Sequence, residues 1–201
     1  MVLLAKIQLL RLKMIFLRLR TVLLRFRLLM IVLQKKDVKY VVTYNDRAFI
    51  KKVVFKNGIV LDIFPDVQEI LYIQRQTSSC LTEAGGMLLG YENACTGNFT
   101  VSGATEPQTT DIRSRVSLVL SKQHQELLKC LKSPYGYIGT WHTHPSKIPV
   151  PSFVDLRDWK KSIIKNSNST SALVFIIAGT EAFRVWLCDS AKGILIEGSE
   201  R

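Results

Sequence analysis

Two histidines one residue apart constrain this chain more than anything else in it. They stand in Trp141-His142-Thr143-His144-Pro145. A proline-marked stretch (Pro145, Pro149, Pro151) then leads to Ser152-Phe153-Val154-Asp155. Residues at i and i+2 of a strand point to the same face. A strand over Tyr137–His144 therefore sets both imidazoles side by side, as two ligands of one metal are. Zinc takes histidine nitrogens and a carboxylate oxygen at about 2.0–2.2 Å, and a catalytic site leaves its fourth position to water. Asp155 is the natural third ligand, eleven positions beyond His144, far enough for the chain to turn and come back. Plainer readings exist for each half. The histidines suit a polar strand face, and Ser152-x-x-Asp155 suits a helix N-cap with an acid in the first turn. Capping and catalysis are compatible, because a cap holds Asp155 in place.

At these residues the chain resembles the JAB/MPN metalloproteases, also called JAMM proteins. Their pattern is Glu, then His-Ser/Thr-His-Pro, then Ser-x-x-Asp. The upstream Glu is present too, since Thr82-Glu83-Ala84-Gly85-Gly86-Met87-Leu88-Leu89-Gly90 resembles the family's Glu-bearing strand and Gly-ended turn. The resemblance covers roughly Glu83 to Asp189, about half the chain. The contexts Gly136-Tyr137-Ile138-Gly139-Thr140-Trp141 and Asp155-Leu156-Arg157-Asp158-Trp159 are similar to a bacterial subgroup. That subgroup occurs in mobile elements and CBASS anti-phage operons, beside E1-like and E2-like enzymes.

The resemblance implies one zinc with a bound water, held by His142, His144 and Asp155. It implies Glu83 as general base. A metal lowers its water's pKa to about 7, and a nearby carboxylate then takes the proton and delivers it to the leaving amine. On its own, Glu83 reads first as an exposed carboxylate before Gly85-Gly86. In the family the serine matching Ser152 donates its hydroxyl to the oxyanion, a contribution of about 3–4 kcal/mol in comparable sites. The implied fold is α/β, a JAB/MPN (cytidine-deaminase-like) domain with a central mixed sheet flanked by helices. The implied reaction is isopeptide hydrolysis. The substrate is a ubiquitin-like modifier, or in the CBASS setting a nucleotidyltransferase, joined through its C-terminal tail to a lysine. Two rivals stand beside it: a peptidase that trims ubiquitin-like or sulfur-carrier precursors, and a non-catalytic MPN binding module. The second usually lacks part of the ligand set, which this chain has whole.

The rest of the chain reads as follows. Of 28 basic residues, seven (Lys6, Arg11, Lys13, Arg18, Arg20, Arg25, Arg27) lie in residues 1–33, which hold no acid. Without them the formal charge of +12 falls to +5, with 21 basic against 16 acidic residues, so a nucleic-acid role for the whole domain weakens. Residues 1–33 form a basic, heptad-like extension, and residues 34–201 the metalloprotease domain. The extension's charges sit two apart, about 200° round a helix, and no apolar run in it reaches the ~18 residues that span a bilayer. The preferred reading is a start at Met30. A membrane-surface helix or a partner-packing helix are the alternatives. Four cysteines (Cys80, Cys95, Cys130, Cys188) without paired metal spacing read as reduced, mostly buried and cytoplasmic.

Val38–Tyr44, Phe49–Phe55 and Ile59–Phe64 read as strands, the last two joined by an Asn57-Gly58 hairpin. Pro65 opens a helix, and Phe99–Ala104 is a strand. Glu106–Arg115 reads as a polar loop and Val116–Lys132 as a helix with Leu120, Leu127 and Leu131 on one face. His124 is then a packing or surface histidine and not a fourth ligand. Trp141 and Trp159 suit the cleft lining and the core equally. Leu173–Ala178, Ala182–Cys188 and Ile194–Ile196 complete the strands.

Overall fold

The computed structural model describes residues 40–42 and 50–200. The readings of residues 1–33, including the start at Met30, lie outside them, as do Phe49 and the flanks of the Val38–Tyr44 strand. Among the described residues no helix is long and apolar enough to cross a membrane.

Among the described residues, eleven strands and three helices follow in the order β1 (Tyr40–Val42), β2 (Lys51–Phe55), β3 (Val60–Ile63), α1 (Pro65–Ile73), β4 (Gly85–Glu92), β5 (Phe99–Thr105), β6 (Ile112–Arg113), β7 (Leu118–Val119), α2 (Gln123–Leu128), β8 (Gly136–Thr143), α3 (Phe153–Asn166), β9 (Ala172–Ala178), β10 (Phe183–Asp189) and β11 (Leu195–Glu200). The hairpin at Asn57-Gly58 forms because Gly58 takes φ +86°, and its N–H bonds Phe55 O at 2.9 Å. Pro65 starts α1 as its first residue, and Val67, Ile70 and Leu71 form the buried stripe.

The main sheet is mixed. Its order is β1-β5-β3-β2-β11-β10-β9-β8-β4, with β3–β5 and β8–β9 parallel. β4 also pairs with β5, so eight strands close into a ring while β1 adds to the C-terminal end of β5. The α/β class is as expected, but the sheet is rolled shut. Closure pairs the edges that an open sheet leaves unbonded.

β9 is buried along its whole length, and its two faces serve different cores. Val174 and Ile176 face the barrel interior with Leu61, Val101 and Trp141. Leu173, Phe175 and Ile177 face outward and meet Trp159 and Ile163 of α3. Trp159 stacks on Phe175 with ring centroids 4.5 Å apart and planes at 11°. Such a pair contributes about 0.5–1.5 kcal/mol beyond area burial. This contact seats α3 against β9, beside β8.

Four expectations need correction. Residues Val116–Lys132 are not one helix, since Leu118–Val119 is a strand and only Gln123–Leu128 is helical. The spacing of Leu120, Leu127 and Leu131 is compatible with a helix, but Ser121 N bonds Asp111 Oδ1 at 2.8 Å, a tertiary bond that fixes a non-helical course there. The Glu106–Arg115 loop accordingly contains β6, which pairs with β7. Glu83 precedes its strand, which begins at Gly85. The cysteines are free, and only Cys188 is buried. Cys80, Cys95 and Cys130 fall in turns, where no face turns inward.

Candidate metal centre

β8 alternates as a strand must. Trp141 and Thr143 point into the barrel, and His142 points out toward α3, its ring 6.4 Å from that of Trp159. His144 lies one residue past the strand, and its N–H still bonds Ala178 O at the end of β9 at 3.0 Å. The two imidazoles therefore meet, with Nε2 atoms 3.2 Å apart.

Ser152 caps α3. Its Oγ accepts from Asp155 N at 3.2 Å, and the Asp155 carboxylate accepts from Ser152 N at 2.6 Å, a reciprocal capping box. The cap turns the Asp155 carboxylate toward the histidines, 3.1 Å from His142 Nε2 and 3.4 Å from His144 Nε2. Burial pushes the Asp155 carboxyl up, but hydrogen bonds from His142 and His144 outweigh it and hold the group far below the usual carboxylate range.

Donor atoms of His142, His144 and Asp155 all lie within 4.8 Å of one another. A tetrahedral zinc site sets its ligand atoms about 3.3 Å apart, given bonds of about 2.0–2.1 Å. The observed 3.1–3.4 Å separations fit that requirement. Two ring nitrogens that face each other across 3.2 Å also need a proton or a cation between them.

Glu83 lines the same cleft, which holds about 390 Å³. It is 8% exposed, and its carboxylate has no hydrogen-bond or ion-pair partner among the described residues. Burial raises its pKa. His142 and His144 pull it down, and Asp155 adds to the rise. A raised carboxylate pKa is the direction that a proton-transferring group needs. Ser152 also lines the cleft, where its Oγ accepts from Asp155 N and its hydroxyl bonds the Asp155 carboxylate. One wall is the β6–β7 hairpin segment from Val116 to Leu120. The other is α3, through Val154, Arg157 and Asp158.

Trp141 and Trp159 are packing residues, 1% and 5% exposed, whose edges reach the cleft. His124 is completely buried and is not part of the His142, His144 and Asp155 group. Its Nδ1 meets Thr105 Oγ1 at 2.6 Å and its Nε2 meets both oxygens of Asp111 at 3.1 Å. Sequence reasoning missed the hairpin wall, whose signal was the short β-prone run Leu118-Val119-Leu120 after a polar turn.

Residues 67–189 match the family described as prokaryotic homologs of the JAB domain. The chain belongs to the prokaryotic JAB family. The matched span begins in α1, ends with β10, and contains Glu83, both histidines, Ser152 and Asp155. Curated relatives of this family member include the CD-NTase/cGAS isopeptidase of Escherichia coli (strain TW11681), 30% identical over 153 residues, 74% of this chain and 90% of that protein. A protein of the same name from Vibrio cholerae is 28% identical over 143 residues, 68% of this chain and 86% of that one. Another, from Pseudomonas aeruginosa, is 28% identical over 127 residues, 61% of this chain and 78% of that one.

Proposed function

We propose that this protein is a zinc-dependent isopeptidase of the JAMM type. On this reading it hydrolyses the bond between a C-terminal carboxyl and a lysine side chain. The conjugated protein is a CD-NTase, as the names of the relatives indicate for those proteins. The observation that carries the reading is a cluster of two imidazole nitrogens and one carboxylate oxygen within 4.8 Å, beside the nearly buried Glu83.

His142, His144 and Asp155 would hold the zinc. Bound there, zinc supplies Lewis acidity and lowers the pKa of its water to about 7. Glu83 takes a proton from the attacking water. As the water oxygen adds to the carbonyl carbon, Ser152 Oγ donates to the developing oxyanion. The carbon–nitrogen bond then breaks, and Glu83 passes its proton to the departing lysine amine.

The same reading makes residues 34–201 the catalytic domain and carries the cytidine-deaminase-like architecture that the resemblance implies. It also carries a cytoplasmic setting, in which E1-like and E2-like enzymes make the conjugate. Incubating the full chain with a CD-NTase conjugate tests it. Release of free CD-NTase, abolished by a chelator and restored by zinc, is the expected result. An intact conjugate with zinc-loaded protein, beside cleavage of a linear precursor, would move the activity to precursor trimming.

A further inference from the structure

Glu83 belongs to no strand, yet its backbone is bonded on both sides by one element. Its N–H donates to Ser114 O at 2.7 Å, and its carbonyl accepts from Arg113 Nε at 2.5 Å. Two residues earlier the same hairpin is tied again. Gln76, 1% exposed, donates its side-chain amide to Leu81 O at 2.6 Å and to Arg115 O at 3.0 Å. The turn at residues 113–115 thus grips the strip that ends in Glu83.

The hairpin itself has little apolar anchorage. Ile112, Val116 and Val119 are between 55% and 80% exposed. Its root is polar. The Asp111 carboxylate accepts from Gln108 N at 2.7 Å, from Ser121 N at 2.8 Å and from His124 Nε2 at 3.1 Å. Through His124 Nδ1 this chain reaches Thr105 Oγ1, which accepts in turn from Met87 N of β4 at 2.7 Å. The link from hairpin to barrel is therefore mainly a hydrogen-bonded strut, beside the single side chain of Leu118 that stands against Gly85 of β4.

We propose that Arg113 is a positioning residue for Glu83, and that the buried Asp111–His124–Thr105 strut holds the hairpin from which Arg113 reaches. The proposal rests on the isopeptidase reading for its catalytic consequence. With no hydrogen bond to the Glu83 carboxylate among the described residues, its direction is set by the backbone that carries it. A misplacement of about 1 Å at a catalytic group costs as much as about 100-fold in rate. Arg113 is the lever because its Nε is a fixed donor. A lysine of the same charge puts a methylene where Nε stands.

The test is Arg113→Lys in the full chain, loaded with zinc and given the CD-NTase conjugate. Expected is a kcat about 10- to 100-fold lower, with KM and bound zinc unchanged. Amide exchange followed by NMR should be faster at Glu83 and Ala84 and unchanged along β9. His124→Asn should shift the same amides in the same direction. Wild-type kcat and wild-type exchange at Glu83 in Arg113→Lys would overturn the proposal. So would a rate loss matched by loss of zinc or of β9 protection. If the wild-type protein itself leaves the conjugate intact, the isopeptidase reading falls, while the exchange of the Glu83 amide still decides for or against the clamp.

Discussion

Thr143 and Ala84 hold each other by two hydrogen bonds across 59 residues of sequence. Thr143 N donates to Ala84 O at 3.0 Å, and Ala84 N donates to Thr143 Oγ1 at 2.9 Å. Thr143 sits between the two histidines and is fully buried, and Ala84 follows Glu83. The residue between the histidines thereby fixes the Glu83 carboxylate against the histidine pair. Thr143→Val keeps the shape and strands the buried Ala84 N–H. The expected cost is about 1–3 kcal/mol, read from the urea midpoint, with a lower kcat on the conjugate. Thr143→Ser should restore both. A valine variant as stable and active as wild type would contradict the role.

Ser152 caps α3 and faces the cleft, and the two jobs separate by substitution. Glycine at an N-cap costs only a few tenths of a kcal/mol. Ser152→Gly should therefore keep nearly the wild-type melting temperature. It should lose about 100- to 1,000-fold in kcat, the effect of removing one oxyanion donor. A rate loss no larger than the stability loss implies would leave Ser152 as a cap alone.

Asp111 sets a stability dependence on pH. Burial pushes its carboxyl up, but the N–H groups of Gln108 and Ser121 and the His124 ring together outweigh burial, leaving it below the ordinary value. The folded protein thus binds this proton less tightly than the unfolded chain. The resulting stabilisation is fully present above the unfolded value of about 3.9 and is lost as pH falls through the depressed folded value. Asp111→Asn should be less stable than wild type at pH 7, with the gap narrowing below about pH 4. Urea unfolding at both pH values measures it, and a gap independent of pH would contradict it.

Gly139 holds β8 close to β9. Its φ is +152°, and a Cβ there would collide with the carbonyl of Val174. Gly139→Ala should push apart the two strands that carry the histidines and seat α3. Both thermal stability and zinc affinity should fall together. An alanine variant that binds zinc as wild type does would show that the spacing is not critical.

The parts of the site legible in the sequence are those set by local geometry. The period of two along β8 brings His142 to His144, and the capping spacing brings Ser152 to Asp155. Glu83 was legible only through the family resemblance. Its place depends on partners at residues 113, 114 and 143 that no local pattern specifies. The second strand of the hairpin reads as helix because leucines at 120, 127 and 131 match a helical face, while the bond from Ser121 N to Asp111 that fixes another course is tertiary. Closure of the sheet was hidden for the same reason. It rests on β4–β5 pairing and on the parallel β8–β9 pair, and neither is written in one segment.

The most direct measurement pairs two readouts on one variant. Wild type and Glu83→Gln are each weighed by native mass spectrometry for bound zinc, then given the CD-NTase conjugate. The expected result is one zinc in both, with cleavage by wild type and a loss of about 100- to 10,000-fold in Glu83→Gln. Cleavage by Glu83→Gln at the wild-type rate, or full activity in a wild-type sample without metal, would contradict a metal-assisted hydrolysis that uses Glu83 as its base.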